Sequence, residues 1–329
     1  MKEKKEERMK HMAEENKKVP DIDRYRVSHG KKVDLKKYTT RRDADFEKEE
    51  TKTVLFPDLI MEMRDYQEKL YAHNRYGLIV VLQAMDAAGK DGVVKHVFSL
   101  LNPSGVRVIS FKQPSIEEKD HDYMWRINRS LPARGEIGIF NRSHYEDVLV
   151  TRVHDLIRSE NFPAKLNGKN IWNERYEQIN NWEKYLYQNG FPMVKIFLHV
   201  SKEEQKQRLV DRIINQEKHW KFSMSDIDER QYWDEYQHIY EELLEKTSTD
   251  IAPWYVVPAD NKWFTRYIVA TLVLHALKKI NPKYPTLSKE MEEQLEKFKK
   301  LILEDESRTL ISIKKELERE ALPAVSDKK

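Results

Sequence analysis

The stretch that most restricts the possible folds is Leu78–Gly92, where a solid apolar run breaks into small residues, an acid and a Gly-Lys pair. Leu78, Ile79, Val80, Val81 and Leu82 read as one buried parallel strand. Gln83 to Gly89 would be the turn and Lys90 to Leu101 the following helix. Strand, small-residue loop, Gly-Lys and helix together make a phosphate cradle. Loop amides and the helix N-terminus face an anion, and Lys90 supplies a movable charge. The loop is irregular. A standard loop of this kind has Gly first and Ser or Thr after the Lys, whereas this chain has Ala84 and Asp91 there, with an extra acid, Asp86, inside.

Four further runs read as strands: Val106–Phe111, Ile137–Phe140, Met193–Val200 and Trp254–Pro258. Helical stretches of ten residues or more separate them, so the expectation is an α/β fold with a parallel five-stranded sheet and helices on both faces. Ligands of such sheets bind beyond the carboxyl ends of the strands, where Ala84–Gly92 falls. The chain of 329 residues is 35% charged and has no Cys, which excludes disulfides, thiolate metal sites and Cys nucleophiles. No apolar run exceeds strand length and the N-terminus lacks a signal-peptide core, so the expectation is a cytoplasmic protein that does not engage membranes.

The net charge of +3 is uneven, because residues 1–42 carry 15 Lys/Arg against 8 Asp/Glu. This predicts a basic N-terminal arm over 1–50, either solvated or helping to hold a polyanion. Residues 51–285 would form the core, and 286–329 a charged helical tail with Leu295, Phe298, Leu301 and Ile302 on one stripe. Between the fourth and fifth strands the chain is too long for a simple crossover. Ser201–Glu204 reads as a capping box opening a helix to about Gln216, and Ser225–Asp228 as the start of a second helix to about Lys246. A helical insert at about 201–247, carrying Lys206, Arg208, Arg212, Lys218 and Lys221, is either a lid over phosphates or a pair that only packs on the sheet.

Asp86 would repel a phosphate unless a cation sat between them, so it reads as a metal ligand, with a loop-stabilising turn as the plain alternative. After the third strand comes Asn141, Arg142, Ser143, His144, Tyr145 and Glu146. A strand end there normally presents a carboxylate to the metal; this chain has Asn141, with Glu146 five residues on. The fork of Arg142 suits transferring phosphoryl oxygens, unless it only pairs with Asp86 or Glu146. His144 reads as a packed histidine, since a phosphate acceptor is already ionised near neutrality and needs no base. Lys112, Arg126 and Arg152 lie near other strand ends, and the tryptophans read as packing residues.

Taken together, Met85–Gly92, Phe111–Ser115, Phe140–Leu149 and Trp220–Ser223 resemble the polyphosphate kinase 2 family, over roughly Tyr25 to Ile280. The resemblance implies a thymidylate-kinase-like P-loop core with a helical lid and Mg²⁺-dependent transfer, Mn²⁺ being an alternative ion, between inorganic polyphosphate and nucleotides. It makes Asp86 and Lys90 the Walker-A pair, Asn141 and Arg142 the Walker-B pair, and Arg212 a lid arginine; Lys221, Ser223 and Asp226 fall in the lid motif. Asn141 with Glu146 looks like the subgroup that phosphorylates both AMP and ADP, giving ADP and ATP, with guanine nucleotides as further candidates.

On this reading Asp86 and Glu146 hold metal, and Asp86, Lys90, Asn141, Arg142, Glu146 and Arg212 are catalytic. Phosphate and nucleotide would be bound by Ala87, Ala88, Gly89, Asp91, Gly92, Lys95, Lys112, Tyr145, Arg208, Lys218 and Lys221, with Lys95, Arg208 and Lys218 along the polyphosphate path. The family commonly forms homo-oligomers, so a dimer or tetramer is expected, and no nucleic-acid partner. The rival readings are an ATP-dependent kinase of a small metabolite and a non-catalytic polyanion-binding protein.

Overall fold

The computed structural model describes residues 18–158 and 162–303. Its centre is a five-stranded sheet of β1 (Leu78–Ala84), β2 (Val106–Ser110), β3 (Ile137–Asn141), β4 (Met193–His199) and β5 (Trp254–Pro258). The strands lie in the order β2-β3-β1-β4-β5 and every neighbouring pair is parallel. Each lies within two residues of its expected bounds. β1, β3 and β4 are buried along their whole length, as a two-sided parallel sheet requires of its central strands.

The chain leaves β1 towards β2 on one side and later reaches β4 on the other, so the order reverses at β1. In open parallel sheets such a reversal marks where ligands bind, here at the carboxyl end of β1. Right-handed crossovers in opposite directions put the helices on both faces. The helix after β1 starts at Lys90 and, from Val94 to Phe98, widens into a π turn; we call Lys90–Phe98 α2. It packs near α6 (Lys262–Ile280), which also lies along α1 (Phe56–His73). α3 (Ile171–Gln188) and α5 (Trp233–Thr247) pack together.

Two expectations change. The segment expected as a basic arm, solvated or helping to hold a polyanion, is packed from Ile22 to Phe46, with Tyr25, Val27, Val33, Leu35 and Phe46 buried. Arg26 bridges Tyr255 in antiparallel sense and Val27 N–H donates to the Trp254 carbonyl, so this segment covers the edge of β5. Its charges stand outside an apolar stripe, which net charge alone conceals. Residues 1–17 lie outside the described residues.

The insert also differs. Ser201 accepts from Glu204 N–H and opens α4 (Lys202–Ile214), two residues shorter than expected. The capping box is only half formed, since Ser201 N–H donates to Asp260 Oδ1 and Glu204 accepts from Arg208. Ser225 does not cap the second helix. Its hydroxyl pairs with that of Ser223, and the chain breaks into Ser225–Glu229, a 3₁₀ turn at Arg230–Tyr232, and α5. From Pro285 the described chain belongs to a second unit. Within it α7 (Lys289–Leu303) is described, with Met291, Leu295 and Ile302 exposed, and the remainder of the expected tail lies outside the described residues. Among the described residues no helix is long and apolar enough to cross a membrane.

Candidate active site

The phosphate loop runs from the end of β1 to Lys90. It turns through positive φ at Ala87 (+60°) and Gly89 (+116°), not at Ala84. Glycine adopts such a φ freely; at Ala87 the Cβ makes it costly, by about 1 kcal/mol. Lys90 is buried, and its ammonium donates to the carbonyls of Ala84 (2.8 Å) and Met85 (3.4 Å) at the foot of the loop. Burial and the neighbouring Arg142 push its pKa down, while Asp86, Glu146 and Asp91 oppose them.

Arg142 follows β3 in a left-handed conformation, φ +66°, with its N–H donating to the Leu82 carbonyl. This kink turns its side chain to the loop, where Nη2 meets Asp86 Oδ1 at 2.9 Å. The plain alternative for Arg142, a pair with Asp86, is therefore what the structure shows. The pair is partly open, at 41% and 27% side-chain exposure. Glu146 lies in the next turn, His144–Val148. Burial pushes its carboxyl up, with Arg142 and Lys90 pulling it back.

Asn141 does not face the loop as a lone strand-end group. Its amide donates to Asp91 Oδ1 (2.8 Å) and to Ser110 Oγ (3.4 Å), so the two residues that replace the usual hydroxyl and carboxylate hold each other. In the insert, Arg212 donates to Asp226 Oδ2 at 2.6 Å. Burial and Asp86 raise the pKa of Asp226 against Arg212 and Arg142, which puts the tip of the insert within electrostatic reach of the loop. Tyr240 on α5 belongs here too; burial, Glu146 and Asp86 raise its phenol. Nothing in its local sequence marked it.

Two expected ligands are placed elsewhere. Arg208, expected on the polyphosphate path, is buried and fully engaged. It donates to Glu204, to the carbonyls of Ala87 and Ala88, and to those of Ala259 and Asp260. It is a strut tying the phosphate loop to the end of β5. Tyr145, expected at the nucleotide, is fully buried on the inner side of its turn, donating to Glu183 Oε1 (2.8 Å) and accepting from Lys195 (3.0 Å). Lys195 sits in mid-β4, and neither it nor Glu183 was anticipated.

The remaining cations are peripheral. Lys95, Lys112 and Lys221 are exposed, Lys221 lies 4.9 Å over the exposed Trp220 ring, and Lys218 pairs with Asp211 at 2.5 Å. Arg126 donates to the Lys112 carbonyl and Arg152 pairs with Glu242. His144 is buried, packs tilted against Tyr145 and edge-on to Trp182, and is held below its ordinary pKa by burial, as expected of a packing histidine. Gly92 has open space around it and Ala88 is buried in the loop.

The donors fit Mg²⁺. Among the described residues no three acids or histidines cluster to cage a metal. Asp86 is partly open to solvent, and its charge adds to burial in raising the Glu146 carboxyl, so the two carboxylates lie within electrostatic reach of each other. Mg²⁺ is bound in this way in phosphate chemistry, by one or two carboxylates with phosphate and water completing the shell.

The family model described as "Polyphosphate kinase 2 (PPK2)" matches residues 45–285. An ADP-polyphosphate phosphotransferase from Rhodopseudomonas palustris is 46% identical over 281 residues, covering 85% of this chain and 97% of that protein. An AMP/ADP-polyphosphate phosphotransferase from Meiothermus ruber is 41% identical over 263 residues, covering 80% and 95%. The crystal structure of polyphosphate kinase 2 from Arthrobacter aurescens superposes with a TM-score of 0.76 at 39% identity, over 85% of this chain and 96% of that one.

Proposed function

The chain belongs to the polyphosphate kinase 2 family, and from that premise we propose that it moves the terminal phosphoryl group of inorganic polyphosphate to AMP and to ADP, and back. The observation that carries the reading is the Arg142–Asp86 pair at the open mouth of a loop holding a buried lysine. Phosphate-to-phosphate transfer needs no base, because the acceptor oxygen is already ionised; the barrier is repulsion between anions. Lys90 and Arg142 neutralise the moving group, and Arg142 exchanges Asp86 for a phosphate oxygen as it does so. Arg212 closes from the insert, bringing Asp226 with it and excluding water. Asp86 and Glu146 would hold Mg²⁺, which supplies charge neutralisation between donor and acceptor.

Loop amides around Ala87, Ala88, Gly89, Asp91 and Gly92 bind phosphate on this reading, with Lys95, Lys112, Lys218 and Lys221 as outer contacts. A homo-oligomer, dimer or tetramer, in the cytoplasm completes it. The test is ATP formation from polyphosphate and Mg²⁺ with AMP or ADP as acceptor. Wild type should turn over both, and Lys90→Ala or Asp86→Ala should lose on the order of a thousandfold while circular dichroism shows an intact fold. Turnover with neither acceptor rejects the activity. Near-normal turnover of either variant rejects the roles.

A further inference from the structure

Lys195, Glu183 and Tyr145 form a buried set, with His144 Nε2 3.7 Å from Glu183 Oε1 at its margin, that the proposed chemistry does not use. Lys195 spends all three ammonium protons, on Glu183 Oε2 (2.6 Å), the Tyr145 hydroxyl (3.0 Å) and the Thr247 carbonyl (2.6 Å). Tyr145 donates to the other oxygen of Glu183 at 2.8 Å. The three come from β4, α3 and the turn after β3, and their side chains are essentially without solvent exposure. Trp254 closes the set, with its ring 4.9 Å from that of Tyr145 and its N–H on Thr247 Oγ1.

Such a set is a poor way to gain stability. Desolvating a Lys–Glu pair costs several kcal/mol, and apolar residues of similar volume often fold as well or better. What it supplies is a fixed position. Tyr145 lies three residues after Arg142 and next to Glu146, in a single 3₁₀ turn. That turn is fastened at its start by Ser143, whose hydroxyl accepts from the Tyr145 N–H and from Gln83 of β1. Tyr145 fastens its inner side to the sheet. With the inner side locked, Arg142 holds a costly left-handed backbone and Glu146 stays within electrostatic reach of Lys90. The Thr247 carbonyl ties the same ammonium to the last residue of α5, the exit of the insert.

We propose that Lys195, Glu183 and Tyr145 are positioning residues for phosphoryl transfer, a buried mount that fixes Arg142 and Glu146 relative to the phosphate loop. None touches substrate, so loosening the mount lowers kcat and leaves KM for polyphosphate and nucleotide alone. The kinetic arm rests on the polyphosphate reading; a structural arm does not.

Tyr145→Phe deletes one hydroxyl with no change of ring. Lys195→Met with Glu183→Gln removes both charges together, leaves no unpaired ion, and keeps an acceptor for Tyr145. Each is read in the full-length protein by steady-state kinetics and by amide hydrogen exchange of the 142–149 peptide. The expected result is a kcat lower by ten- to a hundredfold, KM within twofold, and faster exchange in 142–149 with the Lys90–Phe98 peptide unchanged. Unchanged exchange in 142–149 overturns the mount whether or not the wild type uses polyphosphate. A rise in KM without a fall in kcat overturns it as well, because the residues would then be contacting substrate. Should Tyr145→Phe fail to fold, the charge-free double variant is judged by the same two criteria. Absence of polyphosphate turnover in wild type with faster exchange in the variants would reject the activity and keep the mount.

Discussion

Two arginines flank the phosphate loop, one in front and one behind, and they differ in what they leave available. Arg142 arrives from β3, makes one ion pair with Asp86 and remains 41% exposed. Arg208 arrives from the insert and is buried among five acceptors, four of them carbonyls. Both are basic residues beside the same loop, and from the chain alone both read as phosphate ligands. The difference lies in exchangeability. A guanidinium with one carboxylate partner can trade it for a phosphate oxygen at little net cost. One whose donors satisfy buried carbonyls cannot leave without orphaning them.

The largest effect expected from this contrast is on Arg142. Arg142→Lys keeps the charge and loses the planar fork, so kcat should fall on the order of a hundredfold. Its unfolding free energy from urea titration should change by less than about 0.5 kcal/mol, because the pair is half-open to solvent. Arg208→Met should do the reverse. Four carbonyls lose their donor, so stability should drop by about 3 kcal/mol, with a smaller loss of kcat than at Arg142. If Arg208→Met weakens polyphosphate binding at unchanged stability, the strut is a ligand after all and the contrast collapses.

The smallest effect sharpens the front of the loop. Burial raises the pKa of Glu146 above its ordinary 4.5, so the folded state binds that proton more tightly than the unfolded state. Its contribution to stability is therefore fully present below 4.5 and is lost as pH rises through the raised value. Glu146→Gln has nothing to ionise. Relative to wild type, its unfolding midpoint should rise as pH climbs from acid towards neutrality and then level off. A gap that stays flat or narrows with pH would mean that Arg142 and Lys90 already outweigh burial at Glu146.

The strands were legible because each is a short apolar run, and burial on both faces leaves little else such a run can be. Even β4 survived the lysine in its middle, since its neighbours carry the pattern. The loop was legible through Gly89 and Lys90, and the ion pair of Arg142 was already the plain alternative. What stayed hidden depends on partners far away in the chain. Arg208 meets carbonyls about 120 and 51 residues distant, and Tyr145 meets Glu183 38 residues on. No local spacing distinguishes such residues from ligands. The break at Arg230–Tyr232 was missed for a nearer reason: Ser223 and Ser225 satisfy each other instead of capping a helix.

The buried set of Lys195, Glu183 and Tyr145 bears on how this sequence can drift. An apolar replacement at either charged position strands a buried ion at the other, so single steps away from the set pass through a markedly weakened protein. The three positions are in effect one inherited character, to be exchanged together or kept.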